Sequence, residues 1–221
     1  MELRKVVSGR RSIRRFIQKT VPGEIIQGLI ADALWSPSWG NTQPWEIVIV
    51  TGEALERFKK KNRDAMLSHK PPKAEIPMPQ TWPSSFEKRY KDLGKSVLGS
   101  LSIDRKDKKK RFEHFAHMFS LFDAPVMILI TIDKKLSLEY AMLDVGIFLQ
   151  TFCLLAHDRG LGTCIMAATV MYPEMAHEIF SIPETKALII GAAIGWPALN
   201  EPVNCFKRER GSAEEFTRWI K

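Results

Sequence analysis

The chain has 221 residues, of which 45% are hydrophobic, 10% aromatic and 26% charged. That balance excludes a disordered or fibrous chain, and the length fits one domain, or one domain carrying an insertion. Thirty-three Lys and Arg against 25 Asp and Glu give a formal net charge of +8, which excludes an acidic chain and keeps nucleic-acid binding among the function classes to be weighed.

The first sixteen residues carry six Arg and Lys and no continuous apolar stretch, so no secretory leader is predicted. A short helix over residues 2–8 leads into an Arg-rich turn. Pro22 suits a first helical turn, and Ile25, Ile26, Leu29, Ile30, Ala33 and Leu34 follow at helical spacing up to the block set by Pro37. Trp45 and the β-branched residues to Val50 read as a buried strand, and a charged helix is expected over residues 53–68. Pro71, Pro72, Pro77, Pro79 and Pro83 then rule out regular helix or central strand. Residues 69–122 are expected to form an excursion or lid, partly helical, with Trp82, Phe86 and Tyr90 available to line a pocket or simply to pin a surface loop.

Residues 125–132 are continuously apolar, as in a strand covered on both faces. Residues 138–158 read as one long helix, apolar almost all round, which predicts burial on every side and a second subunit against it. A glycine turn into a strand (160–166), a helix (172–179) and a third strong strand (187–194) complete the pattern. The apolar runs 124–130 and 187–194 are too short for a membrane span, so a cytoplasmic protein is expected. Cys153, Cys164 and Cys205 are odd in number and lack CxxC spacing, so they read as buried packing residues. Neither GxGxxG nor GxxxxGK[ST] is present, and no dinucleotide fingerprint or P-loop is supported.

Four segments carry candidate chemistry. Arg10, Arg11, Ser12 and Arg14 offer guanidinium forks and a hydroxyl to an anion, and extended backbone would aim Arg10, Ser12 and Arg14 the same way; a basic surface patch is the plain alternative. Pro37, Ser38, Trp39 and Asn41 lie in a stiff loop, residues 36–45, suited to a planar heteroaromatic ring, or else serving as a tight connector. Gly160 and Gly162 allow close approach of backbone to a ligand, and Ile165, Met166, Ala167 and Ala168 follow; a plain helix-to-strand turn is the alternative. Arg208 and Arg210 form a second basic cluster, either a phosphate clamp or a solvated tail. The five histidines have no metal-ligand spacing and no serine sits in GxSxG, so neither a metal site nor a catalytic nucleophile is assigned.

In this order, RRSIRRF, SPSWGNTQPW, GLGTC with IIGAAIGWP, and KRER resemble the FMN-dependent nitroreductase family over nearly the whole chain. The proline-rich excursion, GSLSIDRKDKKKR and FSLFDAPVMILITID are similar to the branch containing nitrobenzoate reductases. The resemblance implies an α+β, nitroreductase-like fold over residues 1–221, with a central mixed or antiparallel sheet wrapped by helices in an intertwined homodimer. It implies FMN at the subunit interface, with its phosphate and ribityl chain held by Arg10, Arg11, Ser12, Arg14, Arg208 and Arg210. Pro37, Ser38, Trp39 and Asn41 would reach it from the other subunit, and Ile165, Met166, Ala167 and Ala168 would border the isoalloxazine. Some members carry a glutamate where this chain has Ala167, and whether Arg89 touches the flavin is left open. The implied activity passes electrons from NADH or NADPH through FMN to nitroaromatic or similar electron-poor molecules by a ping-pong mechanism. Alternatives are a same-fold flavoenzyme performing reductive dehalogenation, enone reduction or flavin fragmentation, and a basic nucleic-acid-binding protein, which would be colourless. Neither the physiological acceptor nor the nicotinamide preference is fixed by a motif.

Overall fold

The computed structural model describes Met1–Lys221. Helix α1 (Leu3–Gly9) and α2 (Gly23–Ala33) precede strand β1 (Glu46–Thr51) and α3 (Gly52–Leu67). The excursion holds α4 (Ser84–Ser100) and α5 (Lys108–Phe119), and is followed by β2 (Val126–Asp133) and the 21-residue α6 (Leu138–Asp158). Then come β3 (Gly162–Met166), α7 (Pro173–Phe180), β4 (Lys186–Gly195) and two short helices, α8 (Pro202–Cys205) and α9 (Ala213–Phe216).

The strands form one sheet in the order β1-β2-β4-β3, antiparallel throughout. A parallel bridge between Ser12 and Thr163 adds the arginine-bearing segment to the β3 edge, giving that otherwise open edge a partner. β2 is apolar in every residue from Val126 to Ile130 because both of its faces are covered. Met127 and Leu129 belong to one core with Leu55 and Phe58 of α3 and Phe119 of α5. Ile128, Ile130 and Ile132 point the other way, against Leu29 of α2 and Phe148 and Phe152 of α6. The period of two that alternates faces thus builds two cores on one sheet.

The long apolar helix is not buried on every side within the protomer. Its sheet-facing side packs through Val145, Phe148, Phe152 and Ala156, whereas Tyr140 is 57% and Leu143 60% exposed. α6 lies in the outer of three layers, so its far face has no neighbour in a single copy. By length and composition it is also the one helix able to cross a membrane, but here its buried face is committed to the sheet. Cys205 departs from expectation too: Cys153 and Cys164 are buried, but Cys205 is exposed, because α8 has a single turn and an open outer side.

Candidate functional site

The two ends of the chain meet at the β3 edge. Ile13 N–H donates to Thr163 O at 2.9 Å, Ile17 N–H to Trp196 O at 2.8 Å, and Ala198 N–H to Arg15 O at 3.1 Å. Residues 12–17 therefore run as an extra strand beside β3 and the chain leaving β4. Gly162 is required for that approach: a Cβ there would sit 2.5 Å from Ile13 Cγ1. The segment is extended, and Arg10, Ser12 and Arg14 line one cavity, as alternation requires.

Asn204 of α8, 1% exposed, ties this junction together. Its Oδ1 accepts from Arg14 N–H at 2.7 Å, and its Nδ2 donates to Arg15 O at 2.8 Å and Ala198 O at 2.9 Å. Arg11 closes the joint from the other side, donating to the carbonyls of Asn204 and Phe206. Arg208 donates to the Arg10 and Ser8 carbonyls. Arg11 thus braces the C-terminal segment with its fork, while Arg10 and Arg14 keep donors for a ligand.

Between this junction and α4 lies a cavity of about 790 Å³, lined by Arg10, Arg11, Ser12, Arg14, Arg208 and Arg210 among others, a size typical of small-molecule sites. The arginines in ion pairs are Arg57, Arg89 and Arg159; the five that converge here have no carboxylate partner. Arg208 is pulled below its usual value by burial and by the neighbouring guanidinium groups of Arg11, Arg210 and Arg10. Asp92, Glu209 and Glu215 share the lining, but none forms an ion pair with these five arginines, and the donor set fits a phosphate monoester such as that of FMN.

The remaining predicted residues lie elsewhere in the protomer. None of Pro37, Ser38, Trp39 and Asn41, nor of Ile165, Met166, Ala167 and Ala168, lines this cavity. The second group is close in chain terms, since Ile165 is two residues, about 7 Å of strand, beyond the Ser12–Thr163 bridge. Ile165 is 42% exposed, while Met166 and Ala168 are buried. Of the excursion aromatics only Tyr90 lines the cavity; Trp82 and Phe86 do not.

The Pro37–Asn41 loop is held against α6. Both oxygens of buried Asp144 accept from Trp39 N–H, at 3.1 and 3.2 Å, and Trp39 packs on Tyr140 with ring centroids 5.6 Å apart. Gly40 and Asn41 take left-handed backbone, φ 55 and 59, which glycine and asparagine accept most readily. Trp35 is 91% and Trp39 66% exposed, so with Tyr140 and Leu143 they leave an apolar face uncovered on the protomer.

The pattern of the Nitroreductase family matches residues 7–196. The 4-nitrobenzoate reductase of Pseudomonas putida is 31% identical over 219 residues, covering 97% of this chain and 94% of that relative. The chain belongs to the nitroreductase family. Nitrobenzene nitroreductase of Ectopseudomonas oleovorans is 30% identical, covering 97% and 95%. Among solved structures of the family, the FMN- and NADPH-dependent nitroreductase NfnB from Sphigopyxis sp. strain HMH superposes with a TM-score of 0.94 at 26% identity, covering 100% of both chains. The α+β fold with its antiparallel sheet is therefore the nitroreductase fold.

Three positioning residues of this family member escaped the sequence reading. Asn204 is one and Asp144 another. The third, Asn62 of α3, is 1% exposed and donates through Nδ2 to Phe119 O at 2.8 Å and Ala168 O at 3.0 Å, fixing the turn that follows β3. Asp144 had a usable signal, as a carboxylate on the apolar face of a nearly uncharged helix; the two asparagines had none.

No side chain here is poised as a nucleophile. Burial pushes the Cys153 and Cys164 thiols up. His114 is pushed down to about 4 by burial, with His117, Arg14 and Arg15 adding repulsion, and His157 is lowered chiefly by burial as well. Below its ordinary value of 6.5 an unfolded His114 takes up a proton that the folded site refuses. Stability is therefore complete above about pH 6.5 and declines as pH falls towards 4. Thermal melts between about pH 7 and pH 5 should show this decline in the native chain and a shallower one in His114→Gln; parallel slopes would contradict the assignment.

Proposed function

We propose that the protein is a cytoplasmic, homodimeric flavin oxidoreductase that uses FMN to pass electrons from NADH or NADPH to nitroaromatic or similar electron-poor small molecules. The observation that carries this reading is the cluster of arginines without ion-pair partners where the chain ends meet, in a member of a family whose relatives are nitroreductases. Held by these residues, FMN would supply the redox chemistry that links a nicotinamide donor to the acceptor in two separate half-reactions.

The residues of the chain supply binding, orientation and charge. Arg10, Arg14, Arg208 and Arg210 neutralise the phosphate, Ser12 adds a hydroxyl, and Arg11 holds the C-terminal segment in register with them. Ile165, Met166, Ala167 and Ala168 offer backbone and small side chains to the flat ring, and Ala167 leaves no carboxylate there. The exposed face of Trp35, Trp39, Tyr140 and Leu143 is of the kind that marks an interface. In the dimer it is covered by a second copy, and Pro37, Ser38, Trp39 and Asn41 complete the flavin site from that copy. The α4 region, within residues 69–122, forms the lid. The reading assigns no catalytic side chain, because positioned positive charge and the flavin suffice.

The purified protein should be yellow, bleach under NADH or NADPH without oxygen, and recover its colour on adding 4-nitrobenzoate or nitrobenzene. A colourless preparation that ignores added FMN, or a reduced flavin that neither compound reoxidises, would overturn the proposal.

A further inference from the structure

One end of the cavity is closed by a contact that the flavin reading leaves unused. α4 has a single buried residue, Val97, and its ion pairs Lys88–Asp92, Lys91–Glu87 and Lys95–Asp92 are internal to the helix. One ion pair joins α4 to the rest of the chain: Arg89 Nη2 to Glu215 Oε2, at 2.8 Å. The C-terminal segment is shaped to present that carboxylate. α9 has four residues and a full capping box, in which Glu215 Oε1 accepts from Ser212 N–H at 3.1 Å. The Arg89 guanidinium also lies 5.1 Å from the Phe216 ring centroid and 5.8 Å from that of Phe86. Arg89, Glu215 and Phe216 all line the cavity that holds the unpaired arginines.

We propose that Arg89 is a specificity residue for acceptors bearing an aryl carboxylate, and that Glu215 is a built-in stand-in for that carboxylate, displaced when the acceptor binds. The inference rests on the flavin reading of the same cavity and goes beyond it to the chemistry of the acceptor. Glu215 engages one nitrogen of a guanidinium that can offer a two-point fork. Arg89 and Glu215 are 46% and 51% exposed, so the pair is weak and costs little to open. An incoming benzoate-like group takes both points of the fork, and Phe216, which lines the cavity beside Arg89, gives its ring an apolar, cation-flanked seat. Release of Glu215 frees α4 from α9, so the same event that seats the acceptor loosens the lid. A neutral acceptor of the same shape finds the fork already occupied and gains nothing from it.

Calorimetric titration of benzoate, with benzamide as the neutral control, tests this on the purified protein with its flavin bound. Glu215→Gln keeps the capping box, since glutamine serves at that position, but removes the competing charge. It should tighten benzoate about two- to fivefold, the range of a weak surface pair, and leave benzamide unchanged. Arg89→Gln should weaken benzoate at least about tenfold, as expected for lost hydrogen bonds to a charged group, again sparing benzamide. Tighter binding in the first variant cannot come from misfolding. Benzoate binding unchanged in both variants, or benzoate and benzamide shifting together, would overturn the proposal. So would a loss in Arg89→Gln confined to NADPH relative to NADH, which would assign the fork to the 2′-phosphate of the reductant. Calorimetry reads benzoate whether or not flavin is retained, so failure of the flavin reading, a protein without FMN, is distinct from failure here.

Discussion

Asn204→Leu should cost about 2–4 kcal/mol of stability, the sum expected when one partly buried N–H loses its acceptor and two carbonyls each lose one of two donors. Leucine has the same branched side-chain skeleton as asparagine and leaves no cavity, so the loss is chiefly one of hydrogen bonding. Arg14 N–H is the group left without a partner, while Arg15 O keeps Ala198 N–H and Ala198 O keeps Glu201 N–H, and all three lie where the first and last parts of the chain join. Domains of this size stand only about 5–15 kcal/mol above unfolding, so the melting temperature should fall by roughly 10 °C. Flavin retention should fall with it, because the Asn204 and Phe206 carbonyls that Arg11 grips would no longer be held opposite Arg14. Asn204→Asp should fare no better: it keeps an acceptor for Arg14 N–H but sets negative charge against two carbonyls. A melting temperature within about 2 °C of the native chain would show that the junction draws its stability from elsewhere.

Gly191→Ala, one added methyl, should cost about 2–3 kcal/mol, near the upper end for overpacking a rigid core. The new Cβ would lie 2.8 Å from the Ile128 carbonyl oxygen, 2.8 Å from Thr169 Oγ1 and 2.9 Å from Thr169 Cβ. None of these can move cheaply. Ile128 lies in β2, between β1 and β4, and Thr169 is 1% exposed and donates to Met166 O at 2.6 Å. The strain would pass into residues 166–169, the turn assigned to the flavin ring, so a changed flavin absorbance band should accompany the lost stability. Gly94→Ala makes the opposite case, because nothing lies within 4 Å of its added Cβ on α4. There the methyl should stabilise by up to about 1 kcal/mol through helix propensity. Chemical denaturation of the two variants side by side should give opposite signs; equal shifts would contradict the packing described.

Much of this was legible in the amino-acid order, and the gaps have physical causes. β2 and β4 announce themselves because strands covered on both faces must be apolar throughout. The arginine segment was legible as an anion site because alternation along an extended chain puts Arg10, Ser12 and Arg14 on one side. Its union with Arg208 and Arg210 came from the family resemblance, since local periodicity says nothing about residues nearly 200 positions apart. Asn204 was invisible for the same reason: a polar residue in a four-residue helix acquires its role only from partners brought by the fold. α6 misled in the opposite direction. Its composition calls for complete burial, but a single copy covers one face, and the proposed dimer would account for the other. Asp144 was readable in principle, as a charge where only apolar residues should stand, and it fixes the Pro37–Asn41 loop.

The central claim is that the guanidinium cluster grips a dianionic tail, and comparing FMN with riboflavin, which lacks only the phosphate, tests it most directly. Titrated into the flavin-free protein and followed by fluorescence quenching, FMN should bind at least about 100-fold more tightly than riboflavin, the gain from two or more charge-assisted hydrogen bonds. Arg14→Ala or Arg208→Ala should shrink that ratio by about tenfold or more, while alanine at Lys108 or Lys109, on the exposed side of α5, should leave it intact. Equal affinity for the two flavins, or a ratio that survives loss of the arginines, would contradict the account.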